Sequence, residues 1–167
     1  MALLIFDCDG VLVDSEYLFA EVASECFAEI GISMSLQEEA RRFAGVSIKD
    51  ILATVEREAG IALPPGFEAS LHRREDEAYS HRLQPIAGIR EAISAIDANS
   101  SGLWRRCVAS SSLPGRISAS LTVTGLDDLF PEAQRFSTAL VVNGKPAPDI
   151  FLHADRKSTR LNSSHSS

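Results

Sequence analysis

Only three cysteines occur in 167 residues. They are far apart, with no Cys-x-x-Cys pair, so neither a disulfide framework nor a thiolate metal cluster is available. Cys8, Cys26 and Cys107 read as free thiols, and the expected compartment is the reducing cytoplasm. Positive charge is also short: 16 Lys and Arg against 23 Asp and Glu give a net charge of −7. That balance argues against nucleic acid or an anionic membrane surface as a partner. No apolar run approaches the ~20 residues of a membrane span. No basic stretch precedes the apolar residues at the N-terminus, as a secretory signal would require. The hydrophobic content of 45% and charged content of 23% suit an ordinary globular protein, one well-cored domain with a small insert.

What is present starts at the first residues, Ala2-Leu3-Leu4-Ile5-Phe6-Asp7-Cys8-Asp9-Gly10. An apolar run of strand length leads directly into two carboxylates spaced i, i+2. Delivering two acids to the end of a buried strand is costly unless something compensates the charge. A hard divalent cation with oxygen ligands is the natural candidate. In open α/β sheets such chemistry sits outside the carboxyl ends of the strands.

Helical spacing predicts a helix over 17–30, with Asp14 or Ser15 to cap it and Gly31 to end it. Further helices are predicted over 36–43, 48–59 and 67–82, with breaks at Gly45 and Leu63-Pro64-Pro65-Gly66. No strand signal interrupts them. After Gln84-Pro85 the pattern alternates: a helix over 89–96, a strand over 105–109, a helix over 117–124 and a second strand over 136–142. Strands alternating with helices imply βαβ units and a mostly parallel sheet. The expected fold is therefore α/β, a Rossmann-like, mostly parallel core with an inserted all-helical cap. The core is expected over 1–15 and 84–155, and the cap over 16–83. Residues 156–167 hold five serines and one apolar residue, and read as a disordered polar tail similar to translated adapter sequence.

Each strand end carries a chemical tool. Asp7 can act as a nucleophile toward phosphorus, and Asp9 can protonate a leaving oxygen and later deprotonate water. A helix-capping aspartate pair is the plain alternative. An EF-hand loop is excluded because Val11 stands where a third acidic ligand belongs. Ser110 and Ser111 follow the second strand and precede a helix, a natural phosphate seat, although three serines there also suit a simple capped loop. Lys145 sits in Gly-Lys-Pro, which cannot be a Walker loop because Ser or Thr must follow the lysine. Its ammonium could neutralise phosphoryl oxygens. Asp149 reads as the N-cap of the last helix. His72, His81 and His153 lack ligand spacing and are expected at the surface, and 72–77 as a solvated helix face.

In order and spacing, Phe6-Asp7-Cys8-Asp9-Gly10-Val11-Leu12-Val13-Asp14-Ser15-Glu16, Val108-Ala109-Ser110-Ser111-Ser112 and Gly144-Lys145-Pro146-Ala147-Pro148-Asp149 resemble the haloacid dehalogenase-like superfamily of phosphatases. The likeness extends from residue 1 to about 155, helical cap included. It implies Asp7 as nucleophile, Asp9 as acid/base, Ser110 as phosphate ligand and Lys145 as charge neutraliser. It also implies Mg2+ held by Asp7 and the Asp9 backbone carbonyl. In helical-cap relatives the segment Arg42-Phe43-Ala44-Gly45-Val46-Ser47-Ile48-Lys49 contacts substrate. Gly45 would allow close backbone approach, while Arg42, Ser47 and Lys49 would hydrogen-bond sugar hydroxyls or a carboxylate. An ordinary helix–helix turn is the alternative there.

Two departures stand out. Val11 replaces the threonine common after Asp-x-Asp-Gly. The fourth motif, an acidic loop after a further strand, has no counterpart, because the chain runs from Phe151-Leu152-His153-Ala154-Asp155 into the serine-rich tail. Asp155, in the helix after Lys145, is a poor substitute. The chain as written is therefore expected to lack its C-terminal strands, bind Mg2+ poorly and be marginally stable, with a longer parent as the active enzyme. The expected activity is hydrolysis of a small phosphorylated sugar or sugar acid by a monomer, of the 6-phosphogluconate phosphatase type. A β-phosphoglucomutase-like phosphotransferase and an inactive phosphate-binding fragment are the alternatives. A dehalogenase is disfavoured, since carbon–halogen cleavage needs no acid at Asp9.

Overall fold

The computed structural model describes residues 2–43, 46–100 and 103–160. The described residues form two compact units, one built from those within 2–14 and 84–160 and one from those within 15–83.

The first unit is built on a parallel sheet of three strands in the order β1 (Ala2–Phe6), β2 (Trp104–Ser110), β3 (Arg135–Ser137). The register pairs Phe6 with Val108, and Ser110 with Ser137. The three strands therefore deliver Asp7, Ser110 and Ser137 to one edge. Period-2 alternation sorts the side chains onto two faces. Leu3, Ile5, Cys107, Ala109 and Phe136 pack under Ile150 and Ala154 of helix α7 (Asp149–Arg160). On the opposite face Phe6 meets Phe130 edge-on at 5.6 Å, and Arg106 donates to the Leu129 carbonyl. Helices α5 (Ile89–Ser100) and α6 (Pro114–Val123) complete this unit. β1 is half-buried rather than buried as the apolar run suggested, because it is an outer strand of the sheet.

The second unit is all helix: α1 (Ser15–Glu29), α2 (Leu36–Phe43), α3 (Ile48–Ala59) and α4 (Phe67–Arg82). The last three coincide with the predicted spans. Ser47 caps α3, its hydroxyl accepting from the Asp50 amide, and Gly60 ends it at φ 66°, in the left-handed region that suits glycine. Ion pairs from Arg74 to Glu29 and from Arg82 to Glu21 and Glu25 tie α4 to α1. Among the described residues no helix is long and apolar enough to cross a membrane.

Three expectations need correction. The run 136–142 is not one strand. β3 stops at Ser137, whose hydroxyl accepts from the Ala139 amide and starts a 3₁₀ turn, Thr138–Leu140. The disordered tail does not begin at 156, because α7 continues to Arg160. Ser158 is buried there and its carbonyl accepts from Arg105, so tertiary contact overrides a composition that favours disorder. Residues 161–167 lie outside the described residues. Finally, His153 is half-buried against the Phe136 ring, and Glu75 is buried within a helix face expected to be solvated.

Candidate active site

The loop after β1 is wound tightly. The Cys8 carbonyl accepts from the amides of Leu12 and Val13, and Gly10 turns the chain at φ 69°. A side chain at that φ would be strained, so glycine is required for the turn. Cys8, between the two acids, is 1% exposed and points into the protein. Burial pushes its thiol up to about 12, helped by the charges of Asp9 and Asp7 and opposed by Arg116 and Lys145.

Asp7 has two partners. One oxygen accepts from the Cys8 amide at 2.8 Å, and the other takes the Lys145 ammonium at 2.7 Å. Lys145 also lies 5.7 Å over the Phe151 ring. Its loop is anchored by Asp149, whose carboxylate accepts from both the backbone amide and the side-chain amide of Asn143. Asp149 is thus the first residue of α7 and braces the lysine loop. The expected helix cap is replaced by a loop brace, since Asn143 supplies two donors where the helix would supply one.

Asp9 is held from the other side. Its Oδ2 accepts from the Ser112 hydroxyl at 2.7 Å and meets the Ser110 hydroxyl at 3.5 Å. Ser110 is fully buried and its oxygen accepts from the Ser112 amide, while Ser111 is exposed beside it. The Ser112 carbonyl accepts from Ser137 at 2.6 Å, and that of Ser111 from Thr138. All three strand ends therefore brace one serine loop against Asp9.

From the predicted set the structure brings Asp7 to Lys145 and Asp9 to Ser110, while Ser111 is exposed on the same loop with only its carbonyl bonded, to Thr138. Ser112 was missed, and its only sequence signal was membership in a run of three serines. Gly45 lies outside the described residues. In the helical unit Ser47 bonds Asp50 through its hydroxyl, and Arg42 is ion-paired with Glu58. Lys49 belongs to that unit too, in the first turn of α3.

The donors at the strand ends are hard oxygens, the kind Mg2+ takes from one or two carboxylates together with substrate phosphate and water. Among the described residues no group of three His, Cys, Asp or Glu side chains gathers to hold a metal. The set fits Mg2+ as a partial seat, which substrate phosphate and water would have to complete.

A family model described as haloacid dehalogenase-like hydrolase matches residues 4–165. A 6-phosphogluconate phosphatase from Escherichia coli is 30% identical over 152 residues, covering 90% of this chain. The chain spans 66% of that relative, just under two thirds. Among solved structures, a hydrolase of this family from Deinococcus radiodurans with bound phosphate and sodium superposes with a TM-score of 0.81 at 32% identity. That match covers 93% of this chain and 66% of the other. A proposed β-phosphoglucomutase from Thermotoga maritima gives 0.71 at 26% identity, with coverage of 95% and 71%.

Proposed function

As the chain belongs to the haloacid dehalogenase-like hydrolases, we propose that it carries the site of a Mg2+-dependent phosphomonoester hydrolase acting on a small phosphorylated sugar or sugar acid in the cytoplasm. The observation that carries this reading is the differential partnering of two carboxylates on one strand end. Asp7 has a lysine at 2.7 Å and Asp9 a serine hydroxyl at 2.7 Å. Like acids with unlike surroundings are how one site runs nucleophilic and acid/base chemistry together.

The Asp7 carboxylate attacks phosphorus, an Asp7–phosphorus bond forms and the bond to the leaving oxygen breaks. Asp9 gives that oxygen its proton. Asp9 then takes a proton from water, whose oxygen attacks phosphorus and releases inorganic phosphate with the Asp7 carboxylate restored. Lys145 offsets charge on the phosphoryl oxygens, Ser110 and Ser111 seat them, and Ser112 orients Asp9. Mg2+, held by the Asp7 carboxylate and the Asp9 backbone carbonyl, would add charge neutralisation for the phosphoryl group. In the helical unit, Gly45 and Ser47 belong to the segment proposed to contact the sugar.

The test is release of phosphate from an aryl phosphate and from 6-phosphogluconate with and without Mg2+. Wild-type turnover that requires Mg2+ and is lost in Asp7→Asn is expected, and turnover unaffected by Asp7→Asn would sink the proposal. The likeness to the Thermotoga protein favours a second reading, a phosphotransferase that returns the phosphoryl group to a sugar phosphate. Isomerisation of glucose 1-phosphate without phosphate release would select it.

A further inference from the structure

Resting on this phosphatase reading, we propose that Arg116 is the positioning residue for Asp9, its guanidinium pairing with the Asp9 carboxylate and fixing the direction in which it presents its proton. Lys145 and Arg116 then divide the two acids between them, one cation for the nucleophile and one for its acid/base partner.

The argument starts from helix geometry. Arg116 stands in the first turn of α6, which opens at Pro114. Side chains on an α-helix lean back toward its N-terminus. The arginine therefore reaches toward the segment that precedes the helix, where the Ser112 hydroxyl already lies 2.7 Å from Asp9. The charge in that turn points the same way. No acidic residue accompanies Arg116 there, and a cation at a helix N-terminus is opposed by the helix dipole. A half-buried arginine in that position needs an anion nearby, and the Asp7–Asp9 loop supplies it.

The charge of Arg116 also reaches Cys8, the residue between the two acids, where it opposes the effect of burial. The planar fork of a guanidinium fixes a carboxylate's orientation as well as its charge, which an ammonium does not. A serine hydroxyl on one oxygen and a fork on the carboxylate would leave Asp9 little freedom to turn away from the leaving oxygen.

Two measurements on the full chain decide it. The first needs no turnover: a urea-unfolding cycle of Asp9→Asn, Arg116→Gln and the double variant. Paired groups give a double variant whose midpoint differs from the sum of the single shifts, and strict additivity overturns the pairing. The second compares kcat/KM for p-nitrophenyl phosphate, whose leaving group needs no proton, with that for an alkyl sugar phosphate, whose leaving group does. Arg116→Ala should lower the alkyl value about 10- to 100-fold and the aryl value far less. Arg116→Lys should recover part of the loss. Arg116→Ala should add nothing to Asp9→Asn. An equal loss on both esters overturns the positioning role. A wild-type chain that hydrolyses neither ester would instead count against the proposed function, while the urea cycle still decides the pairing.

Discussion

Lys145 and Asp7 make a short ion pair whose side chains are 21% and 41% exposed. Pairs so open to water contribute only about 0–1 kcal/mol to stability. Lys145→Met should therefore change the unfolding free energy measured in urea by less than about 1 kcal/mol while lowering phosphate release about 100-fold. A large stability loss with turnover intact would reverse that assignment. The thiols behave oppositely. Cys8, Cys26 and Cys107 are all buried, and burial raises each above the ordinary thiol range. Ellman's reagent at pH 7.5 should find almost no reactive thiol in the native chain and all three in denaturant. At this scale the Asp7-Cys8-Asp9-Gly10 element and Lys145 were legible, because each is a distinctive residue type at a constrained spacing. Ser112 was not. Which of three consecutive serines faces Asp9 depends on where α6 starts, and Pro114 sets that start only once the chain has folded. Arg116 was invisible for a similar reason: its partner lies across the sheet edge, more than a hundred residues away in sequence.

Helices α2, α3 and α4 were readable because strong periodicity is bounded by clear breakers, Leu63-Pro64-Pro65-Gly66 among them. β3 was misread because a run of apolar residues, Ala139-Leu140-Val141-Val142, continues past the point where the Ser137 hydroxyl turns the backbone. Neither reading detects Glu39. It lies in α2 at 1% exposure, and both carboxylate oxygens lack a hydrogen-bond partner among the described residues. Burial pushes this acid up to about 7 from an ordinary 4.5. Between those values the unfolded chain has released its proton and the folded chain still holds it, so stability falls as pH rises and levels off above about 7. Glu39→Met should raise the unfolding free energy measured in urea at pH 8 by roughly 1–3 kcal/mol. At pH 4 the gain should shrink to the packing difference alone. An equal gain at both pH values would rule out the buried charge as its cause.

For the molecule as a whole, the three-stranded sheet has an outer strand on each side of β2. Near the end of β3, Leu140 is 52% exposed and Val142 94% exposed, and Leu152 is exposed on α7. Open edges and adjacent apolar surface favour association between copies. We expect light scattering to show mass rising with concentration, instead of the strict monomer anticipated from sequence, and Val142→Lys to suppress the rise. A mass that is constant over a hundredfold range of concentration would refute this.

The chain leaves the α/β unit after Asp14 and re-enters it at Gln84. At that point the two passing segments are fastened to each other. Val13 bridges Pro85, the Asp14 amide donates to the Gln84 carbonyl at 2.9 Å, and the Ile86 amide donates to the Leu12 carbonyl. The departure and return points are thus closed by backbone bonds that do not depend on what lies between them. Closing a longer excursion costs only about 0.6 kcal/mol per doubling of its length. The helical segment is in this sense a detachable cassette. It can be lengthened, shortened or exchanged over generations while the strand that carries Asp7 keeps its place.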